Sequence, residues 1–237
     1  MSRKNLAIVP ARGGSKRLPR KNILPLNGKP LIHYTLEAVV NSGCFDTVIL
    51  SSDDDEILEL GQQVEGVTPE KRDTSFAGDK VKVIDLIKSI ASRPGYTDEY
   101  QTIGLFLPTC PFRTAKHVKE GFELLQPEDF SVVSCSEMQD PVQLTCSLSE
   151  EKIMNPEAIM QPSPLVTGQT RSQDFDKIYR VNGGFYIAWI DKFIHKDNYF
   201  QGQVKGYEME SLYSADIDYP LDFKWAEFLL QNKYIQL

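Results

Sequence analysis

Long apolar runs are missing from this chain of 237 residues. No stretch approaches the roughly 18 apolar residues of a membrane span, and the apolar run at residues 6–9 is too short for a secretory h-region. A cytoplasmic protein is expected. Cysteine is sparse: Cys44, Cys110, Cys135 and Cys146 form no C-x-x-C pair and keep no histidine company. That speaks against a zinc or redox motif and for buried thiols. Only three histidines occur, His33, His117 and His195, on stretches that read as helical and structural. No nucleophilic triad is evident. A positive surplus is also lacking, since the formal net charge is −7. The surface as a whole is not built for nucleic acid or an anionic membrane. Neither G-x-x-x-x-G-K-[ST] nor G-x-G-x-x-G is present.

What is there is ordinary for a globular protein: 41% hydrophobic and 25% charged residues, in a length that fits a single domain over 1–237. Short apolar runs at 6–10, 47–51, 102–107, 131–136 and 184–190 read as strands. Amphipathic stretches over 30–41, 56–63, 79–92, 114–125 and 221–231 read as helices. The first should bury Leu31, Tyr34, Leu36, Ala38 and Val39. The third should bury Val83, Ile84, Ile87 and Ile90, and the last Leu221, Trp225, Phe228 and Leu229. Asp53 and Asp54 read as caps of the second helix. Strands alternating with helices predict an α/β fold, a mostly parallel sheet with helices on both faces. Residues 138–180 have no helical period. So long a structureless loop is improbable in a compact domain, so they read as an excursion of short strands that returns near Tyr179.

The richest segment is Pro10-Ala-Arg-Gly-Gly-Ser-Lys-Arg-Leu-Pro-Arg-Lys-Asn22, directly after the first strand. Arg12, Lys16, Arg17, Arg20 and Lys21 cluster there in an acidic protein. Gly13 and Gly14 allow close approach of the backbone. Their amides and the Ser15 hydroxyl can donate to phosphate. Loops at strand C-termini are where open α/β sheets bind ligands. Far along the chain, Asp216-Ile-Asp218 precedes the last helix. Two carboxylates two residues apart in extended chain share one side, and their hard oxygens suit Mg²⁺. Helix capping is the competing use, for which Asp222 is better placed.

The composite P-A-R-G-G-S-K-R-x-P-x-K-N resembles the acylneuraminate cytidylyltransferases, the CMP-sialic acid synthetase family, and the resemblance runs along nearly the whole chain. It implies a Rossmann-like nucleotidyltransferase fold with a small dimerisation excursion, hence a homodimer. It implies that Arg12, Gly13, Gly14, Ser15, Lys21 and Asn22 hold CTP, with Lys21 steadying the attacked α-phosphate. Arg72-Asp-Thr-Ser-Phe-Ala-Gly-Asp79 is similar to R-P-x-x-L-A-x-D and places Arg72 near the nucleotide. Leu107-Pro-Thr-Cys-Pro-Phe-Arg113 resembles Q-P-T-S-P-L-R, with leucine where the family's glutamine touches the sugar; Arg113 reads as structural. Arg171-Ser172-Gln173-Asp174 resembles R-R-Q-D in the serine form of the pseudaminic branch. Yet Tyr179-Arg-Val-Asn-Gly-Gly-Phe-Tyr186 follows the sialic and legionaminic form. Arg171, Gln173, Asn182, Tyr186, Tyr199 and Phe200 are the implied sugar contacts, and the sugar stays open. Gln143 stands where the family's cross-subunit lysine is usual.

The expected reaction joins CTP to a sialic-acid-like nonulosonic acid, with Mg²⁺ on Asp216 and Asp218 and with Arg12 and Lys21 stabilising the leaving pyrophosphate. Two other readings stay open: a nucleotidyltransferase for another keto-deoxy sugar acid, and a nucleotide-sugar binding module without catalysis. No nucleic-acid or membrane partner is expected.

Overall fold

The computed structural model describes residues 3–76, 78 and 81–237. Seven strands form the main sheet: β1 (Lys4–Pro10), β2 (Thr47–Ser52), β3 (Val67–Lys71), β4 (Tyr100–Leu105), β5 (Ser131–Glu137), β6 (Tyr179–Trp189) and β7 (Val204–Glu208). Their order is β7-β5-β6-β4-β1-β2-β3. β1 runs parallel to β2 and β4, β2 to β3, and β7 to β5. β6 runs antiparallel to β4. The fold class expected from the strand–helix alternation therefore holds.

β1 shows why the sheet is covered on both faces. Leu6 and Ile8 pack with Leu86, Ile87 and Ile90 of α3 (Val83–Ala91). Ala7 and Val9, pointing the other way, pack with Ile32, Leu36 and Val39 of α1 (Leu31–Asn41). Ile57 of α2 (Asp55–Gln62) and Val118 of α4 (Ala115–Glu123) join that second layer. A period of two in the strand meets a period of 3.6 in the helices. The four cysteines are thiols, and among the described residues no helix is long and apolar enough to cross a membrane.

Several expectations need correction. Strands β3 and β7 were not anticipated. Both are outermost in the sheet, and their sequences, VTPEK and VKGYE, carry the proline and charge with which edges avoid further pairing. The third helix was expected to begin at Asp79; Asp79 and Lys80 lie outside the described residues, and Val83 is 40% exposed. In α5 (Pro220–Gln231) the inward residues are Phe223, Ala226 and Leu229. Leu221, Trp225 and Phe228 face outward, where Trp225 stacks on Phe228 at 5.3 Å. Two apolar stripes compete on this helix. The buried Ile217, whose N–H reaches the Thr109 carbonyl at 2.8 Å, anchors the entry to the helix and so selects between them. Of the two expected caps, only Asp54 accepts the Ile57 N–H, at 3.2 Å.

The chain consists of two compact units, Met1–Cys135 with Val181–Leu237, and Ser136–Arg180. The second unit holds a two-residue hairpin (Ser147–Leu148 with Met154–Asn155) and a single helical turn, Pro164–Thr167, capped by the Ser163 hydroxyl. Its ends meet where the Met138 N–H donates to the Ile178 carbonyl at 2.8 Å. Leu148, Ile153, Met154, Ile159 and Val166 are each more than half exposed.

Helix α4 starts with a reciprocal cap. The His117 N–H donates to Thr114 Oγ1 at 3.3 Å, and the Thr114 N–H donates to His117 Nδ1 at 3.2 Å. Burial lowers the imidazole's affinity for protons, outweighing the nearby Glu210. The folded state therefore binds fewer protons than the unfolded state below pH of about 6.5. This contribution to stability is complete above that value and is lost as the pH falls. Glutamine at this position keeps the cap without titrating. Thermal denaturation between pH 8 and pH 5 should show a flatter decline of Tm for H117Q than for the wild type.

Candidate active site

The loop after β1 crosses the C-terminal end of the sheet and folds back on itself. The Asn22 side-chain amide donates to the Arg12 carbonyl at 2.9 Å, closing the turn. Arg20 adopts a left-handed conformation (φ 57°) that sends the chain into the 3-10 turn Lys21–Ile23. A cavity of about 330 Å³ opens between this loop, the residues after β3 and the turn after β4. Arg12, Ser15, Lys16, Lys21, Asn22 and Arg72 all line it, as does Asp218. The positive charge anticipated from sequence thus converges on one cavity, apart from Arg20. That arginine pairs with Asp54 and Glu56 at the start of α2.

The decisive junction joins residues almost two hundred positions apart. Lys21 Nζ donates to the Ile217 carbonyl at 2.6 Å and to Asp218 Oδ1 at 2.8 Å. Arg17 takes the other oxygen of Asp218 at 2.7 Å, its guanidinium lying 5.0 Å from the Tyr219 ring centroid. Asp222 accepts the backbone N–H groups of Asp218 and Tyr219, at 2.9 and 2.7 Å. It thus does the capping and leaves Asp216 and Asp218 for other work. Burial raises the Asp216 carboxyl above the usual carboxylate range, opposed by a hydrogen bond with Thr109, and the charge of Asp218 adds to the rise. The surrounding packing costs this charge its hydration although the residue keeps solvent access. Asp218 lines the cavity, and with Asp216 two residues away it offers two hard, mutually repelling carboxylates of the kind that fit a divalent cation. Among the described residues no third acidic, His or Cys group joins them, so other ligands would come from water or phosphate.

Arg72 is buried. Its guanidinium donates to the Ser51 carbonyl at 2.7 Å, and burial holds its pKa below the usual arginine value. Arg113 is structural, as its sequence context suggested: it donates to the Leu107, Gly184 and Thr35 oxygens, and burial pushes it down to about 10.

The glycine pair behaves differently from the expectation. The Gly13 N–H is already taken by Asp53 Oδ1 at 3.0 Å. A Cβ on Gly13 would lie 2.5 Å from Asp54 Oδ2, whereas Gly14 faces open space. Gly13 is therefore required by close packing against the β2–α2 turn. The sequence placed Arg17 only in the charge cluster and Asp53 only as a helix cap; their bonds to Asp218 and to Gly13 were not foreseen.

The implied sugar contacts divide. Asn182 is committed elsewhere: its oxygen accepts from Ser134 Oγ at 2.6 Å and the Gly184 N–H at 3.0 Å, and its nitrogen donates to Ser214 Oγ at 2.9 Å. Tyr199 is core, its ring 4.5 Å from Phe193 and 5.3 Å from Tyr186. Its neighbour Phe200 is 52% exposed, so the two do not form one aromatic surface. Tyr186 is half-buried, its hydroxyl pushed up first by burial and then by Asp216. Arg171 and Gln173 belong to the second unit, where Arg171 Nε is 3.7 Å from Asp174. Gln143 is also in that unit, its amide donating to the Asp176 carbonyl at 3.4 Å.

A family model described as cytidylyltransferase matches residues 6–236. The chain belongs to the cytidylyltransferase family. Curated relatives include a pseudaminic acid cytidylyltransferase of Campylobacter jejuni, 32% identical and covering 95% of this chain and 96% of that one. The CMP-N,N'-diacetyllegionaminic acid synthase of Legionella pneumophila is 30% identical with the same coverage. The N-acylneuraminate cytidylyltransferase of Streptococcus agalactiae is 31% identical over 93% of this chain and 52% of its own length. Among solved structures, a CMP:2-keto-3-deoxy-manno-octonic acid synthetase complexed with CTP superposes with a TM-score of 0.70 at 15% identity, covering 97% and 99% of the two chains. That likeness shows the fold. In this cytidylyltransferase, then, the loop after β1 and Asp218 meet at one cavity.

Asn182 offers a clean check on its own assignment. N182A removes the bonds that join Ser134, Ser214 and the Gly184 N–H, although both serines keep main-chain partners. It should lose about 2–3 kcal/mol in denaturant unfolding, with a smaller effect on the sugar-acid KM measured below the unfolding transition.

Proposed function

We propose that this chain transfers CMP from CTP to a sialic-acid-like nonulosonic acid, releasing CMP-sugar and pyrophosphate. The observation that carries the reading is the Lys21–Asp218 junction on the wall of a cationic cavity. Relatives of this function, matched over nearly the whole chain, support it.

A triphosphate carries about four negative charges at neutral pH, and charge-assisted hydrogen bonds are the strong ones. In this reading Arg12, Ser15, Asn22 and Arg72 hold the phosphates and ribose. Lys21 is buried, and fixed by the Ile217 carbonyl. It is thereby pre-aimed at the attacked α-phosphate, where charge builds in the transition state. Asp216 and Asp218 would hold Mg²⁺, which when bound neutralises phosphate charge and helps the pyrophosphate depart. Arg17 must then leave Asp218, and the incoming phosphates give it a new partner. The anomeric hydroxyl of the sugar acid attacks the α-phosphate in line. Its proton goes to solvent or to a phosphate oxygen, because no histidine lines the cavity among the described residues. Tyr186, beside Asp216, is the sugar contact within the first unit that geometry favours. Arg171 and Gln173 remain proposed contacts for the sugar carboxylate. The serine at position 172 and the C. jejuni relative both make a pseudaminic-type acid the first to test.

The same reading makes the protein a cytoplasmic homodimer, working where CTP is made. The exposed Leu148, Ile153, Met154, Ile159 and Val166 of the second unit support the dimer.

Pyrophosphate release should be measured with CTP, Mg²⁺ and a panel of pseudaminic, legionaminic, sialic and eight-carbon keto-deoxy acids. Turnover is expected with a nine-carbon acid. Turnover with the eight-carbon acid alone, or with none, would reject the proposal. K21M should lower kcat by about 10²–10³-fold. Replacing Asp216 and Asp218 together with alanine should abolish turnover and remove Mn²⁺ binding seen by electron paramagnetic resonance in the presence of CTP.

A further inference from the structure

The loop after β1 rests on the turn that ends β2, and one side chain of that turn plays no part in the chemistry above. The Ser51 carbonyl accepts the Ala11 N–H at 3.0 Å and the Arg72 guanidinium at 2.7 Å. The Ser52 carbonyl accepts the Arg72 N–H at 2.7 Å. Two residues on, Asp54 caps α2 and pairs with Arg20. Asp53, between them, does neither. Its Oδ1 accepts the Gly13 N–H at 3.0 Å, forty positions back in the chain. The turn is thus the common abutment of the glycine loop and of Arg72.

Charge makes the position of Asp53 more telling. The Arg72 guanidinium is buried and bonded to Ser51, and among the described residues no carboxylate is a hydrogen-bond partner of it. Among the described residues, the charges that act on it besides burial are Asp53, which favours its ionised form, and Arg12, which opposes it. Arg12 and Arg72 line the same cavity. Two cations gathered in a partly dry site repel, more strongly than they would in water.

We propose that Asp53 is a positioning residue of the polyphosphate site: it fixes the Gly13 amide, and it supplies the negative charge that lets Arg12 and Arg72 stay gathered before nucleotide arrives. This rests on the triphosphate reading of the cavity. The two roles oppose each other in binding. Ordering the loop favours a polyanion, while a resident carboxylate repels it.

Two variants separate the roles. D53N keeps an oxygen for the Gly13 N–H and removes the charge; D53A removes both. The full chain would be titrated with inorganic pyrophosphate and with CTP by calorimetry, at low and high salt. D53N should bind pyrophosphate about two- to fivefold tighter than wild type at low salt, with the gain shrinking at high salt. D53A should bind at least about fivefold more weakly than D53N. In steady-state assays D53A should raise KM for CTP and leave KM for the sugar acid unchanged. If D53N binds no tighter than wild type, the charge role is wrong. If D53A and D53N bind alike, the Gly13 role is wrong. Should D53A fail to fold, the pyrophosphate affinity and salt dependence of D53N decide alone. A wild type that binds neither CTP nor pyrophosphate overturns the triphosphate reading itself. A wild type that binds both, with D53N unchanged, overturns only the part assigned to Asp53.

Discussion

A single ammonium group ties the site together. Lys21 Nζ, on a buried side chain, bonds a main-chain oxygen and a carboxylate from a segment 196 and 197 positions away. A lysine has three donors and no acceptor, so two protein partners leave it one donor for a ligand. Taking it from water would be costly without such partners. The loop after β1 and the residues before α5 are thereby held in register by the chain's own groups. Preorganisation of this kind lets a charged group stabilise a reaction without first rearranging.

Around that bond the cations of the loop have separate tasks. Arg20 turns away and fastens the loop to α2. Arg17 covers the outer oxygen of Asp218. Arg12, Lys16 and Arg72 remain on the cavity wall. A protein of net charge −7 so concentrates a positive field in one place, where a low-dielectric wall makes it count. The carboxylates Asp53, Asp54 and Asp218 set where each cation can go.

Much of this was legible in the sequence, and the limits have physical reasons. Buried central strands carry continuous apolar runs, so 6–10, 47–51, 102–107 and 131–136 announced themselves. The edge strands β3 and β7 did not, because an edge is written in proline, lysine and glutamate. The periodicity of α5 allowed two faces, and only the tertiary anchor at Ile217 chose between them. The charged loop and the aspartate pair were readable because charge and glycine are rare together. Asp53 was not, since an aspartate before a helix looks like a cap; its partner Gly13 lies forty residues away. The internal partners of Asn182 and Tyr199 were likewise hidden, since polar and aromatic residues in a motif read as ligand contacts and their neighbours come from distant segments.

The Arg17 bridge bears on how a nucleotide would enter. Because Asp218 already has a cation on each oxygen, a ligand drawn in by the positive wall would meet a carboxylate whose charge is matched. Entry is then a change of partners among charges that are all present beforehand. Arg17 is half exposed and held at its tip, which makes it the member of the set free to swing across while Lys21 stays in place.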